Sequence, residues 1–224
     1  MGNVTPLTKA DLPAFEMVFE GTVKALGVVP NSMLTMGHKP GILGTFSLLS
    51  GAIFHRLKQP MSLKTLRFFR TTMKAARGSD PDNEISPQLQ QMIAYVCSAA
   101  AGCRYCQAHT AGSAHLLKVP DEKIAALLDY ADSPLFDDAE RAALDLAFAA
   151  GQVPNRSSKA HFDALKKHFN DAQIVEIVAT IALFGFLNRW NDTMGTTLEA
   201  EPRQYAEKVF AAATGWEVGK HAAV

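Results

Sequence analysis

The strongest constraint on the fold is the spacing of apolar residues, which recur at three- and four-residue steps in most segments of the chain. Such spacing lines up on one side of an α-helix, whereas a half-buried strand alternates at every second residue. No segment combines sustained alternation with enrichment in β-branched residues. The clearest helical stripe consists of Leu89, Met92, Ile93, Val96, Cys97 and Ala100. The sequence therefore predicts an all-α fold.

Glycine, proline, asparagine and aspartate residues divide this pattern into separate helices. The predicted helices cover approximately residues 11–26, 40–57, 62–77, 86–101, 120–130, 137–150, 158–169, 171–187 and 201–213. Ser62 is expected to cap the third of them, because its hydroxyl can accept a hydrogen bond from a free N–H group of the first turn. A further helix is expected to begin at Cys103, directly after a break at Gly102.

The best candidate for an internal boundary is the loop at residues 78–83, with the sequence Gly-Ser-Asp-Pro-Asp-Asn. We predict one all-helical domain over residues 1–224. Within it we expect an N-terminal helical unit at about 1–78, a thiol-bearing core at about 84–200 and a C-terminal helix at about 201–215.

Residues 86–106 resemble residues 171–191 when the two segments are aligned without gaps. The apolar stripe keeps its register in this alignment, and Cys103 and Cys106 correspond to Asn188 and Asn191. The alignment predicts an internal pseudo-repeat of two helical units around a pseudo-twofold axis. Chance similarity between two amphipathic helices is the alternative.

The charge balance excludes two classes of partner. The chain has 22 Lys+Arg and 22 Asp+Glu residues, a formal net charge of +0, whereas nucleic acids and anionic membranes bind proteins mainly through an excess of Lys and Arg. The most apolar stretches, residues 42–54 and 177–187, are shorter than the roughly 20 residues that span a bilayer. The N-terminus has neither the basic start nor the apolar core of a signal peptide. We therefore expect a cytoplasmic protein with no nucleic-acid or membrane partner.

The segment from Gly102 to His109 carries the chemistry. Free N–H groups and the positive end of the helix dipole favour a thiolate at an exposed helix start, where Cys103 lies. Cys106 follows three residues later on the same face, within reach of a reversible disulfide. His109 lies three residues further and could accept or return a proton. This arrangement favours thiol redox chemistry, in which Cys103, Cys106 and His109 are the predicted catalytic residues.

Two other interpretations of the motif stay open. A zinc site would need a fourth ligand in addition to the two thiols and the histidine, and Cys97 or His115 could supply it. A purely structural pair of buried cysteines is the second alternative. Covalent haem attachment is excluded, because Gln107 stands where a histidine would be required. We predict no metal and no organic cofactor.

Residues outside the motif receive simpler interpretations. Cys97 falls on the apolar stripe and is expected in the core. The other histidines show no clustered spacing and are expected at the surface or singly satisfied: His38, His55, His115, His161, His168 and His221. The aromatic residues Phe184, Phe186 and Trp190 are expected in the core or at a subunit interface.

The polar segment Asn188-Arg189-Trp190-Asn191-Asp192 follows an unusually apolar helix. Two interpretations stay open for it: a helix-capping network, or a wall of the pocket that contains the thiols.

The motif Gly-Cys-Arg-Tyr-Cys-Gln-Ala-His at residues 102–109 resembles the carboxymuconolactone decarboxylase/alkylhydroperoxidase AhpD-like superfamily, and in particular its longer peroxidase-related members. Residues 186–192, Phe-Leu-Asn-Arg-Trp-Asn-Asp, are similar to the second characteristic segment of that group. Residues 29–31 and 38–40, near the N-terminus, also resemble that group. The resemblance covers approximately residues 29–202.

This resemblance implies an all-helical AhpD-like fold that assembles as a homodimer, trimer or hexamer. It further implies an oxidoreductase that reduces organic hydroperoxides or disulfides with a thiol reductant and without a cofactor. In the family pattern the cysteine that matches Cys106 attacks the peroxide, and the cysteine that matches Cys103 resolves the disulfide.

The chain departs from the family pattern at both positions of the proton relay. Gln91 stands where the family has a glutamate, and Thr110 stands where it has a histidine, while His109 lies one residue earlier. Glutamine exchanges no proton near neutral pH, and a one-residue shift rotates a side chain by about 100° around a helix. The thiol pair is thus retained while the relay is altered. A carboxymuconolactone-decarboxylase-like activity and a non-catalytic redox-sensing oligomer are the alternatives.

Overall fold

The computed structural model describes residues 3–54, 62–78 and 80–222. All regular secondary structure within these residues is helical, which confirms the predicted all-α class. The α-helices are α1 (Glu16–Leu26), α2 (Asn31–Met36), α3 (Pro40–Ile53), α4 (Leu63–Arg77), α5 (Pro87–Ala100), α6 (Arg104–Leu116), α7 (Asp121–Ala125), α8 (Asp138–Gly151), α9 (Lys159–Leu165), α10 (Asp171–Met194), α11 (Ala200–Val209) and α12 (Ala211–Thr214).

Several helices differ in length from the prediction. The predicted first helix begins with two 3-10 turns, and regular α-helix starts only at Glu16. The predicted helix at 120–130 ends at Ala125, whereas the one predicted at 171–187 continues to Met194. The C-terminal helix predicted at about 201–215 is divided at Phe210 into α11 and α12. Residue 57, the predicted end of the second helix, lies outside the described residues.

Serine side chains cap the N-termini of α4 and α5. Ser62 Oγ accepts a hydrogen bond from the backbone N–H of Thr65 at 3.1 Å, as predicted. Ser86 Oγ accepts one from the N–H of Leu89 at the same distance and so fixes the start of α5. Each cap satisfies a donor that the helix itself leaves unpaired.

The described residues form two compact units. The first consists of the chain up to Glu84 together with Asp171–Glu176 at the start of α10. Its core contains Leu12, Phe15, Phe19, Val29, Met33, Leu43 and Phe68. An ion pair of 2.8 Å between Lys39 Nζ and Glu176 Oε2 joins α3's N-terminal cap to the start of α10 within this unit.

The second unit consists of Ile85–Asn170 together with the chain from Ile177 onward, and it contains both thiols of the motif. Its centre is α5, whose residues Ile93, Ala94, Tyr95 and Val96 have no exposed surface. Helices α6 and α8 pack against α5. A Cβ atom on Gly151 would lie 2.7 Å from the Cys97 carbonyl oxygen, so only glycine allows this approach of α8 to α5.

The two segments of the predicted pseudo-repeat differ in path. Residues 86–106 include a helix, a break and the first turn of another helix, whereas residues 171–191 lie within the single helix α10. The difference arises at Gly102, whose φ of +78° ends α5, while the aligned residue of the second segment is Leu187. The pseudo-repeat remains a prediction.

Helix α10 is longer than the apolar stretch from which it was predicted. Among the described residues it is the one helix long and apolar enough to cross a membrane, judged by length and composition alone. A core helix of a soluble protein passes the same test. Ile174, Ile177 and Ile181 are buried on one side of this helix.

Candidate active site

The two thiols lie at the beginning of α6, as the sequence predicts. Gly102 adopts a positive φ of +78°, a conformation that glycine reaches without steric strain. Cys103 is the residue before the first turn of α6, and its N–H donates to the Ser98 carbonyl oxygen at 3.0 Å. Cys106 follows one turn later on the same helix.

Both thiols are buried, which corrects the expectation that they lie at an exposed helix start. Cys103 has no exposed surface and Cys106 is 3% exposed. Side chains from α10 and from the C-terminal segment lie against them, and these segments are about 90 and 120 residues distant in the sequence. Local patterns around the motif therefore could not indicate this cover.

The pKa values of the two thiols are shifted in opposite directions. The Cys103 thiol donates a hydrogen bond to Cys106, and the amide of Asn191 donates another, with Nδ2 3.5 Å from Cys106 Sγ. These bonds lower the pKa of Cys106 against the opposing effect of burial. The same bond and burial raise the pKa of Cys103. Of the two thiols, Cys106 is therefore the one that ionises more readily, whereas the helix-start argument had favoured ionisation of Cys103.

His221, for which the sequence predicts no cluster, and Asp192, from the polar segment of α10, lie beside Cys103. His221 is 1% exposed; its Nδ1 is 2.7 Å from the Thr196 carbonyl oxygen and its Nε2 is 3.0 Å from Asp192 Oδ1. The nearest ligand atoms of Cys103, Asp192 and His221 lie within 4.8 Å of one another. The prediction that His221 has no part in a cluster is wrong. Because the three residues come from three distant segments, their spacing carries no sequence signal.

Within the described part of the chain, these three side chains form a group whose ligand atoms are close enough together to hold a metal ion. The fourth ligands considered from the sequence lie elsewhere. Cys97 is 1% exposed and donates to the Ile181 carbonyl oxygen at 3.7 Å, while His115 Nδ1 is 2.7 Å from Asp121 Oδ1. Burial raises the pKa of Cys97 to about 11, which makes it an unreactive core residue, as predicted.

The predicted catalytic His109 is directed toward the C-terminal part of the unit. Its Nε2 is 2.8 Å from Glu199 Oε2, and its ring lies 4.4 Å from that of Tyr105. The His109 side chain is 38% exposed, so it lies at the surface while the thiols are buried.

Thr110 occupies the family's histidine position and is hydrogen-bonded within its own helix. Its hydroxyl donates to the carbonyl oxygens of Cys106 at 2.8 Å and of Gln107 at 3.2 Å. A threonine hydroxyl held in this way does not serve as an acid or base near neutral pH.

The polar segment of α10 lies next to the thiols and next to a cavity. Asn191 contacts Cys106, and Asn188, 4% exposed, lines a cavity of about 330 Å³ together with Arg189 and Asp192. Among the described residues, neither the amide nitrogen nor the amide oxygen of Asn188 has a hydrogen-bond partner. Asn191 and Asp192 therefore lie beside the thiols, while the lining of this cavity includes Cys97 but neither Cys103 nor Cys106, so the pocket-wall interpretation remains a prediction.

Of the three aromatic residues predicted in the core or at an interface, Phe184 is half-buried, while Phe186 and Trp190 are exposed. Phe186 is 42% exposed and Trp190 is 56% exposed, with ring centroids 6.0 Å apart. Because Phe186 and Trp190 are exposed, they are not in the core, and a position at a subunit interface remains the prediction for them.

Comparison with known proteins places this site in a family. A family model described as the carboxymuconolactone decarboxylase family matches residues 64–149, which include both thiols. The debrominase Bmp8, as a cysteine-to-alanine variant in complex with 2,3,4-tribromopyrrole, is 33% identical with a TM-score of 0.56, over 93% of this chain and 98% of that chain. The chain belongs to the carboxymuconolactone decarboxylase/AhpD-like superfamily. Apo Bmp8 gives the same TM-score at 34% identity, over 92% of this chain and 97% of that one.

Two further proteins match at lower identity. An uncharacterized peroxidase-related protein from Silicibacter sp. TM1040 is 21% identical with a TM-score of 0.50, over 89% of this chain and 90% of that chain, and it shows the shared fold. The uncharacterized protein YnjA of Escherichia coli K12 is 28% identical over 110 residues, which is 49% of this chain and 60% of YnjA. The chain thus matches less than two thirds of that relative's length. The activities named in the superfamily, decarboxylase and debrominase, are those of enzymes.

Proposed function

We propose that the chain is a thiol-dependent oxidoreductase that reduces organic hydroperoxides through a Cys103–Cys106 disulfide. The observation that carries the proposal is the position of two buried thiols one turn apart, with the Asn191 amide donating to Cys106 Sγ at 3.5 Å, a bond that lowers the pKa of Cys106. A thiolate is the nucleophilic form of cysteine, and a neighbouring thiol can capture the oxidised sulfur before it is oxidised further. Neither step requires a metal or an organic cofactor.

The chemistry balances as two steps. Cys106 Sγ attacks one peroxide oxygen and the O–O bond breaks, which leaves a sulfenic acid on Cys106 and an alcohol once the alkoxide has taken a proton. Cys103 Sγ then attacks the sulfenic sulfur, so that the disulfide forms and hydroxide leaves as water after gaining the Cys103 proton. Two equivalents of a thiol reductant restore both thiols and are themselves oxidised to a disulfide.

The cavity lined by Asn188, Arg189 and Asp192 is the candidate for substrate binding. Its volume of about 330 Å³ suits a small organic molecule. Gly185, Ala101 and Ile181 supply apolar walls, while the Asn188 amide offers both a donor and an acceptor. Asp192 connects this cavity with the thiols, because it lines the cavity and also lies beside Cys103.

The proposal is tested by a peroxidase assay with cumene hydroperoxide and a dithiol reductant. We expect Cys106→Ser to abolish peroxide consumption, because it removes the nucleophile. Cys103→Ser is expected to stop turnover after one equivalent and to leave a sulfenic acid that a dimedone-type probe traps. Ser157→Ala in an exposed loop is the control, because the third thiol, Cys97, lines the candidate substrate cavity. Equal activity in all four proteins contradicts the mechanism, and thiol oxidation without turnover supports the redox-sensing alternative instead.

His109 is proposed to exchange protons between the site and solvent, because it is exposed and paired with Glu199. The contacts of the His109 ring are with Tyr105 and Glu199 and not with either thiol. We therefore expect His109→Gln to lower the turnover rate only modestly, by about two- to fivefold. Steady-state rates at several pH values measure it. A loss as large as that in Cys106→Ser would place His109 in the chemical step.

Reductive debromination is a second candidate, favoured by the similarity to Bmp8 over nearly the whole length of both chains. In that reaction Cys106 Sγ would accept bromine from a bromopyrrole, whose ring carbon takes a proton. Cys103 would then displace bromide and close the same disulfide. Incubation of the reduced protein with 2,3,4-tribromopyrrole tests this candidate: release of bromide that depends on Cys106 supports it, and no release contradicts it.

A further inference from the structure

The protons of the thiol pair have no acceptor at the positions where the family has its relay. Thr110 has its hydroxyl bonded to the backbone of α6, and Gln91 carries a neutral amide. Closure of the disulfide nevertheless requires that Cys103 lose its proton, and the raised pKa of this buried thiol makes spontaneous loss rare. A base near Cys103 is therefore needed.

The hydrogen bonds of His221 determine which of its nitrogen atoms is available. A carbonyl oxygen only accepts, so Nδ1 carries hydrogen and donates to Thr196 at 2.7 Å. Nε2 is therefore the nitrogen that gains or loses a proton, and it lies 3.0 Å from Asp192 Oδ1. Two acceptors at this distance repel each other unless a proton lies between them, so the pair without that proton is a favourable acceptor for the proton that Cys103 loses.

We propose that Asp192 and His221 form a proton relay for Cys103 that replaces the one missing at Gln91 and Thr110. Their polar atoms and Cys103 Sγ lie within 4.8 Å of one another, a span that one water molecule bridges. His221 is the residue that exchanges the proton, and Asp192 is a positioning residue that orients its ring. The proposal rests on the proposed thiol chemistry of the site.

The relay balances within each cycle. As Cys103 Sγ attacks the oxidised sulfur of Cys106, its proton passes to the Asp192–His221 pair. When hydroxide leaves from a sulfenic acid, the same proton returns to it as water forms. When a thiolate leaves from a mixed disulfide, the proton is released to solvent. The relay is neither oxidised nor reduced.

The charges around the pair favour a proton over a metal ion. Lys220 Nζ lies 3.6 Å from Asp192 Oδ1 and would repel a divalent cation bound to this carboxylate. Among the described residues, the other titratable groups near the pair include Cys103, Cys106, Arg189 and Tyr105, whose ring lies 5.6 Å from the His221 ring. Tyr105 donates its hydroxyl hydrogen to Glu199 at 3.2 Å.

The test uses oxidised glutathione in place of a peroxide, so its outcome does not depend on the substrate of the proposed function. Cys106 of the reduced protein forms a mixed disulfide with glutathione, and Cys103 then closes the internal disulfide. Acid quenching and mass spectrometry follow both steps as a function of pH. If the peroxidase assay fails while closure still needs His221, the proposed activity is wrong and the relay stands.

For His221→Gln we expect closure to slow by about 100-fold between about pH 6 and 8, with accumulation of the mixed disulfide. Formation of the mixed disulfide should change less than about twofold, since it uses only Cys106. His115→Gln is the matched control, because it removes a histidine that contacts an aspartate at 2.7 Å on the surface. Closure at the native rate and with the native pH profile in His221→Gln overturns the proposal.

Asp192→Asn is a second variant that tests the relay, and it is needed if substitution of the buried His221 prevents folding. The negative charge of Asp192 raises the pKa of both Cys103 and Cys106, so electrostatics alone would make closure faster in this variant. The relay predicts the opposite, a closure about tenfold slower. Faster closure, or stoichiometric zinc in the native protein by elemental analysis, contradicts the relay.

Discussion

At the scale of single residues, the ionisation of the thiol pair depends on the side chains that donate hydrogen bonds to Cys106. Cys103 and Cys106 are recognisable because their spacing and the preceding glycine are local features of one segment. His221 is not recognisable, because it reaches the thiols only through the tertiary fold, whereas the polar segment with Asn191 is recognisable as a candidate pocket wall but its contact with Cys106 is not. The direction of ionisation follows the fold, since hydrogen bonds to Cys106 outweigh the position of Cys103 at the helix start.

The hydrogen bond from Asn191 to Cys106 gives a prediction at this scale. Asn191→Leu keeps the approximate size but removes the donor, so the pKa of Cys106 should rise, because one of the bonds that stabilise its thiolate is lost. A bond to a charged group contributes about 1.5–3 kcal/mol, so reaction of Cys106 with iodoacetamide near neutral pH should slow by about 10-fold or more.

Ultraviolet absorbance of the thiolate against pH measures this change directly. Asn155→Leu is the control, since Asn155 is an exposed loop residue whose side chain accepts a bond from Ser157 N–H. If Asn191→Leu leaves the titration of Cys106 unchanged, the bond has no part in ionising the thiol.

At the scale of helices, the chain's own signals fix where helices begin better than where they end. Ser62 and Ser86 begin α4 and α5 because their hydroxyl groups satisfy free N–H groups of the first turn. The end of α10 had no such signal: the polar residues after Leu187 were compatible with a cap, yet Asn188 and Asn191 continue the helix and turn their amides inward. The position where α10 ends therefore depends on tertiary contacts of these side chains.

The cap of α5 gives a prediction for stability. Ser86→Ala removes the acceptor for the Leu89 N–H, and the free energy of unfolding should fall by about 1 kcal/mol. Urea denaturation followed by circular dichroism measures the change, with Ser157→Ala in an exposed loop as the control. If Ser86→Ala lowers the free energy of unfolding no more than Ser157→Ala does, the cap does not stabilise the folded state.

At the scale of the whole molecule, one side of α10 carries large apolar side chains that are exposed in the single chain. On α10, large apolar side chains recur every three to five residues with 40–65% of their surface exposed: Val178, Leu183, Phe186, Trp190 and Met194. A contiguous apolar patch of this kind on a protein marks an interaction surface. The sequence alone could not separate this face from core, because apolar residues at helical spacing occur in both.

We therefore expect the chain to form a homo-oligomer in which this face of α10 is covered by another copy. Light scattering coupled to size-exclusion chromatography should give a mass that is a multiple of 24.2 kDa for the native protein. Trp190→Lys places a charge within the face, and burial of an unpaired charge is so unfavourable that the oligomer should dissociate toward the monomer. Leu116→Lys, at an exposed apolar residue near the end of α6, is the control that should keep the native mass. A native protein that is monomeric at micromolar concentration, or a Trp190→Lys variant with the native mass, would show that this face is not the interface.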